Sequence, residues 1–303
     1  MQGRDGAMAA FPNPIVAHAF TWASRWEEGE IRRAIERAAA LGFAAIVIPL
    51  RDPASVPAER VAAWCEAAAI VPIGVSGGTP AADVSSPDRE TAARGRERLA
   101  LALARTRDMG ARQLNGLLYG PLGKAARRAT GDDRRRSADA LAELAGAARP
   151  MGVRLALECV NRYETNLLNT AAQGLDHLAL IGEEGVFLHL DSYHMNIEEE
   201  SPEAAIAAAA SAGRLGFVEF GESHRGRLGT GSVDVAAVAR AIARAGWRGP
   251  VGLEFFSAGV SAAEIGNTLS IWRDLFADGD DVASGGKKLV EDALAAAWTS
   301  VMA

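Results

Sequence analysis

The chain is 303 residues long, 49% hydrophobic and 23% charged. That is the balance of an ordinary globular protein and excludes a disordered chain, a collagen or a disulfide-stapled miniprotein. Lys and Arg total 32 against 38 Asp and Glu, a formal charge of -6, which argues against nucleic acid as the main partner because a duplex wants a basic surface.

Residues 1–13 carry Arg4 but no continuous apolar run, so no secretory leader is expected. Every apolar stretch is broken by charge or proline before about 18 residues, against a membrane span. Cys65 and Cys159 are too few for a disulfide framework or a cysteine metal cage. A cytoplasmic protein with no membrane partner is expected.

From residue 15 onward, short β-branched runs alternate with longer alanine-rich segments of 3.6-residue period. The predicted strands are 15–20, 44–48, 70–75, 112–116, 153–158, 186–191, 217–221 and 251–255. Between and after them the pattern predicts helices near 27–41, 56–69, 86–108, 133–149, 171–181, 202–212, 233–246 and 261–276. Gly42, Gly110, Gly152 and Gly246 stand where a helix should stop, and Ser201-Pro202-Glu203 where one should start.

Strict alternation means a parallel sheet with crossover helices. Eight units within about 250 residues favour a (β/α)8 TIM barrel over an open doubly wound sheet. A single domain is expected, with the barrel over about 15–277. Two regions fall outside the eightfold unit: a polar loop over 76–87 and a Gly- and Asp-rich loop over 278–286. An additional C-terminal helix over about 286–302 follows, its apolar face of Val290, Leu294 and Trp298 expected to pack on the barrel exterior. The run 132–136 reads as a solvated helix start, acids leading and bases following.

The informative feature is the acids at four consecutive strand ends: Glu158, Asp191, Glu219 and Glu254, which are 33, 28 and 35 residues apart. That spacing puts them at similar heights at the C-terminal mouth, where such barrels hold their active sites. Any one of them could pair with a base or cap the next helix. Four in register would repel one another unless a cation neutralised them, and a divalent metal is the economical cation.

The flanking residues carry a resemblance. The runs Glu158-Cys-Val-Asn-Arg-Tyr-Glu164 and His189-Leu-Asp-Ser-Tyr-His-Met-Asn-Ile-Glu-Glu199, with Gly229-Thr-Gly231, closely resemble the ketose 3-epimerases (D-tagatose and D-psicose 3-epimerases). These belong to the xylose isomerase-like TIM barrels. The likeness spans the layout of residues 15–277, with the strong motifs in the second half.

The resemblance implies that Glu158, Asp191 and Glu254 bind the metal, and that Glu158 and Glu254 form the acid–base pair. It implies that Glu164, His194 and Arg225 hold the sugar. It also implies a homodimer or homotetramer. Where the family has a metal-binding histidine on strand seven, this chain has Glu219, and strand two lacks the acid that relatives often carry. If Glu219 takes the histidine's place, four carboxylates surround the ion. Mn²⁺ is then expected, with Mg²⁺ or Co²⁺ as alternatives.

The expected chemistry needs a Lewis-acidic ion and two carboxylates that exchange a proton beside a carbonyl. The residues alone leave epimerase, isomerase and a lyase or dehydratase on a keto-sugar or oxidised glycoside open. The resemblance decides for C3 epimerisation of a ketose, and a catalytically silent carbohydrate-binding barrel is the reading from another class. Trp22 and Trp26 could wall the sugar or pack under the first helix, and Asn115 and Tyr119 are possible pocket residues. Arg225 and Arg227 could grip a phosphate or carboxylate, or compensate nearby acids. His18, His177 and His189 read as structural, and Cys159 as core.

Overall fold

The computed structural model describes residues 11–23 and 25–303. Most of the N-terminal stretch read for a leader, residues 1–10, therefore lies outside the described residues. Eight parallel strands close in sequence order: β1 (Ile15–His18), β2 (Ala45–Pro49), β3 (Val71–Val75), β4 (Gln113–Gly116), β5 (Arg154–Cys159), β6 (Val186–Asp191), β7 (Leu215–Phe220) and β8 (Val251–Leu253). The β-branched and leucine runs suit strands covered on both faces.

Around them lie α1 (Glu28–Ala40), α2 (Ala58–Ala67), α3 (Arg89–Asp108), α4 (Gly131–Ala148) and α5 (Ala171–Ile181). They continue with α6 (Ser192–Glu198), α7 (Pro202–Ser211), α8 (Val235–Arg244), α9 (Ala263–Leu269) and α10 (Gly279–Met302). The (β/α)8 barrel and its extra C-terminal helix are as expected. No helix among the described residues is long and apolar enough to cross a membrane.

Local chemistry sets the boundaries. Asp88, Thr170, Ser201 and Asp234 each accept a backbone N–H at a helix start. Gly42, Gly110, Gly152 and Gly246 take φ of 72°, 79°, 65° and 64° just past helix ends, a conformation glycine adopts at least cost.

Four expectations change. Residues 278–286 are not a loop but the first turns of α10, because the Asp278 carboxylate accepts from Asp280 N and Asp281 N. Trp22 Nε1 then donates to Asp280 Oδ1 at 2.8 Å. Gly286 lets the helix lie close, since a Cβ there would be 2.5 Å from Phe255 Cζ. β1 stops at His18, where the chain tightens into a 3-10 turn, and the helix expected over 261–276 is only α9, ended by Ser270 at φ 57°. The short helix α6 was not expected.

The solvated helix start is also only half right. Asp133 is buried, completes a capping box with Thr130, and pairs with Arg127 and Arg136. The apolar face of α10 packs on the barrel exterior beside α8, with Trp298 Nε1 donating to Asn13 Oδ1 at 2.9 Å.

Candidate active site

Inside the barrel Val16, Ala45, Val47, Ile73 and Phe217 form an apolar plug. The acids sit above it because of strand register. Glu158 pairs with His189 across β5 and β6, and Asp191 with Glu219 across β6 and β7. Residues two apart on a strand share a face, so His189 and Asp191 both turn inward with Glu158 and Glu219. Glu254 follows β8, its N–H still paired with Phe220 O at 3.1 Å.

The side chains meet as one network. Glu158 Oε1 lies 3.4 Å from His194 Nε2, and its Oε2 lies 3.8 Å from His189 Nδ1. His189 Nε2 is 3.0 Å from Glu219 Oε2. His194 Nδ1 accepts the Asn161 N–H at 3.1 Å, which in the neutral ring leaves the proton on Nε2, facing Glu158. His18 Nδ1 accepts the Phe20 N–H, so its Nε2 proton faces Glu254 Oε1 at 3.6 Å. Tyr119 OH donates to Glu158 O at 2.7 Å and ties down the end of the strand.

Arg225 bridges the other side. It donates to Glu254 Oε2 at 2.7 Å and to Glu164 Oε1 at 3.1 Å, and its guanidinium lies 4.0 Å from the Tyr193 ring centroid. Its backbone is held at φ 61°, a left-handed conformation unusual for arginine. Glu222 supports this turn. Its carboxylate accepts from Ser223 N, Gly229 N and Val233 N, tying the Gly-Thr-Gly tail into a loop. Nothing in the sequence pattern singled Glu222 out.

Charge separates the four acids. Burial would raise Glu158, but His189, His194 and Arg225 outweigh it and hold the carboxyl at about 2. Burial raises Glu254 well above the ordinary range, reinforced by Glu219, Asp191 and Glu158 and only partly opposed by Arg225. Asp191 and Glu219 are raised as well, chiefly by burial. For His189 burial acts downward, yet Glu158, Glu219 and Asp191 carry it to about 9. His18 is lowered to about 3 by burial and is neutral.

A divalent metal suits this set. Asp191 Oδ1 caps α6 by accepting the Tyr193 N–H at 2.9 Å, while Oδ2 is buried without a partner, as is Glu219 Oε1. Oxygens of Asp191, Glu219 and Glu254 lie within 4.8 Å of one another, and Glu158 groups with Asp191 and His194 in the same way. Buried anionic oxygens without donors are what a hard cation satisfies.

A cavity of about 590 Å³ opens above, lined by His18, Trp26, Glu158, Glu164, His194, Arg225 and Glu254 among others. Every residue singled out as catalytic or sugar-holding thus faces one space, with Asp191 and Glu219 in the floor. Asn115 and Tyr119 do not line it, although both are buried. Trp22 packs against Phe43 and only Trp26 reaches the cavity. Arg225 bridges Glu164 and Glu254, with its buried Nε still lacking a partner, and Arg227 pairs with Asp281, so both compensate acids. His177 stays structural, 3.1 Å from Ser137 Oγ, whereas His18 and His189 join the site. Their signal was position: each lies on a barrel strand in the inward register.

Comparison with known proteins agrees with this geometry. Residues 32–275 match the family model described as xylose isomerase-like TIM barrel. The chain is 41% identical over 268 residues to an L-ribulose 3-epimerase of Mesorhizobium japonicum, covering 87% of this chain and 88% of that one. It is 36% identical to a ketose 3-epimerase of Arthrobacter globiformis, covering 94% and 98%. The crystal structure of a Methylomonas D-allulose 3-epimerase in complex with D-allulose superposes with a TM-score of 0.90 at 36% identity, covering 93% and 97%.

Proposed function

The chain belongs to the ketose 3-epimerases of the xylose isomerase-like TIM-barrel family, and from that premise we propose that it epimerises a free ketose at C3, with Glu158 and Glu254 as the proton-carrying pair. One observation carries the assignment of the pair. These two carboxylates line the same cavity from β5 and from the end of β8, and their surroundings push their proton affinities in opposite directions. Paired carboxylates with separated affinities are how one site runs acid and base chemistry together.

Glu158, ionised and steered by the His194 N–H, takes the C3 proton; the electron pair moves into the C2–C3 bond and gives an enediolate. A carboxylic acid on the opposite face returns a proton to C3, which inverts that carbon. Reversal exchanges the roles of Glu158 and Glu254. Glu158, Asp191, Glu219 and Glu254 would hold the divalent metal, for which Mn²⁺ fits the oxygen-rich set, with Mg²⁺ and Co²⁺ as alternatives. When bound, that ion supplies Lewis-acid stabilisation of negative charge on the sugar oxygens.

Glu164, His194 and Arg225 form the polar wall, and Phe20, Trp26 and Phe256 the apolar one. With Arg225 held between Glu164 and Glu254 in a cavity lined by acids, a neutral sugar suits the cavity better than a phosphorylated one. L-Ribulose and D-allulose, named for the relatives, are the first substrates to try.

The test is exchange of the C3 proton of each ketose in D₂O, followed by NMR with Mn²⁺ present. Wild type should exchange and form the C3 epimer. Glu158→Gln should lose about 10²-fold or more of the rate while keeping its circular dichroism. A Glu158→Gln variant that keeps more than about a tenth of the rate overturns the acid–base assignment.

A further inference from the structure

Glu219, where the chain departs from the family, lies against a histidine of the neighbouring strand. His189 is 2% exposed, and its ring stands edge-on against Phe217, with centroids 4.9 Å apart and planes at 85°. Phe217 is itself fully buried in the plug, so the imidazole has no room to fall away. Neither ring nitrogen has an in-line hydrogen-bond partner. Nε2 makes a close but bent contact with Glu219 Oε2, 3.0 Å away, and Nδ1 faces Glu158 Oε2 across 3.8 Å. The other oxygen of Glu219, Oε1, sits over Gly252 without a partner.

We infer that His189 is the positioning residue for Glu219, the residue that stands where the family has its strand-seven histidine. Its N–H holds Oε2, so that Oε1 is presented to the metal in one orientation. A lone glutamate has more rotamers than a histidine and brings an extra negative charge; a donor on one oxygen reduces both handicaps. Carboxylates that bind metals are themselves oriented by such partners, whose loss weakens the metal by about 10–100-fold. The inference rests on the reading of Glu219 as a metal ligand.

The experiment is calorimetric titration of Mn²⁺ into chelator-treated protein. It compares wild type, His189→Leu, which cannot donate, His189→Gln, which still can, and Glu219→Ala with and without His189→Leu. His189→Leu should weaken Mn²⁺ about 10–100-fold, and His189→Gln should recover part of the loss. In the Glu219→Ala background His189→Leu should add less than about threefold, because the oxygen it positions is gone.

Near-ultraviolet circular dichroism checks the fold, and should His189→Leu fail to fold, His189→Met, which also cannot donate, carries the same comparison. Affinity within about threefold of wild type in His189→Leu, or full additivity with Glu219→Ala, overturns the inference. So does a directly bound histidine nitrogen in the Mn²⁺ electron spin echo of wild type that His189→Leu removes. If instead Glu219→Ala binds Mn²⁺ as tightly as wild type, the ligand reading fails, and this inference with it.

Discussion

Gly252 is where the packing under the metal-binding acids can be probed with one methyl group. A Cβ added there would meet Glu219 Oε1 at 2.6 Å, Phe217 Cε1 at 2.6 Å and Phe217 Cζ at 2.7 Å. Ordinary contact begins at 3.4 Å, so the neighbours must yield by about 0.8 Å. Phe217 is fully buried and wedged in the barrel plug, which leaves the carboxylate to move. Ligand distances tolerate only about 0.2 Å, and a misplacement near 1 Å in an active site costs about 10²-fold in rate.

Gly252→Ala should therefore lose about 1–3 kcal/mol of stability from overpacking. It should also weaken Mn²⁺ at least about tenfold and lower kcat/KM by about 10²-fold. Urea unfolding in chelator, Mn²⁺ calorimetry and ketose turnover measure the three separately. A variant with wild-type Mn²⁺ affinity and a normal unfolding midpoint would refute both the packing argument and the placement of Glu219.

Arg225→Ala removes the cation between Glu164 and Glu254 and should destabilise by about 3–5 kcal/mol, as breaking a buried pair does. Because Glu254 loses its partner, Mn²⁺ affinity should fall as well as sugar binding; unfolding and Mn²⁺ titrations that match wild type would contradict this. Asp191, Glu219 and Glu254 are raised by burial, so they bind more protons folded than unfolded. The metal-free chain should lose stability as pH rises from the ordinary carboxylate range through those folded values. The rise in Tm on adding Mn²⁺ should grow over the same window, from the ordinary carboxylate range upward; a rise independent of pH would refute it. Glu158, held at about 2, acts with the opposite sign: its contribution is present above the ordinary range and fades as pH falls through about 2. Gly146→Ala, at an exposed position of α4 with nothing within 4 Å of the new methyl, should add about 0.5–1 kcal/mol without altering turnover. A chemical melt and a kinetic assay check it.

By itself the sequence determined the architecture, because each unit repeats a local signal. Two-faced apolar strands, 3.6-period helices, glycines at helix ends and a proline after Ser201 are read within a dozen residues, and eight such units within about 250 residues favour a closed barrel over an open sheet. It determined the four acids for the same reason: a carboxylate at the end of an apolar run stands out against its neighbours, and barrel geometry gives its height. Signals that depend on a distant partner were misread. The Gly- and Asp-rich stretch after 277 reads as a loop until Asp278 caps it and Phe255 lies beneath Gly286. Asp133 reads as solvated until Arg127 and Arg136 close over it.

Only the tertiary structure decided what each acid touches. His18 and His189 are ordinary strand residues along the chain, and become site residues because register turns them inward beside Glu254 and Glu219. Along the chain Arg225 could either grip an anion or compensate nearby acids, and the turn built on Glu222 delivers it between two carboxylates. The proton affinities of Glu158 and Glu254 part company because His189 and His194 lie beside the first, whereas burial and the other three acids raise the second against the pull of Arg225. Identity and spacing are written along the chain, whereas burial and the sum of nearby charges exist only once the strands have closed.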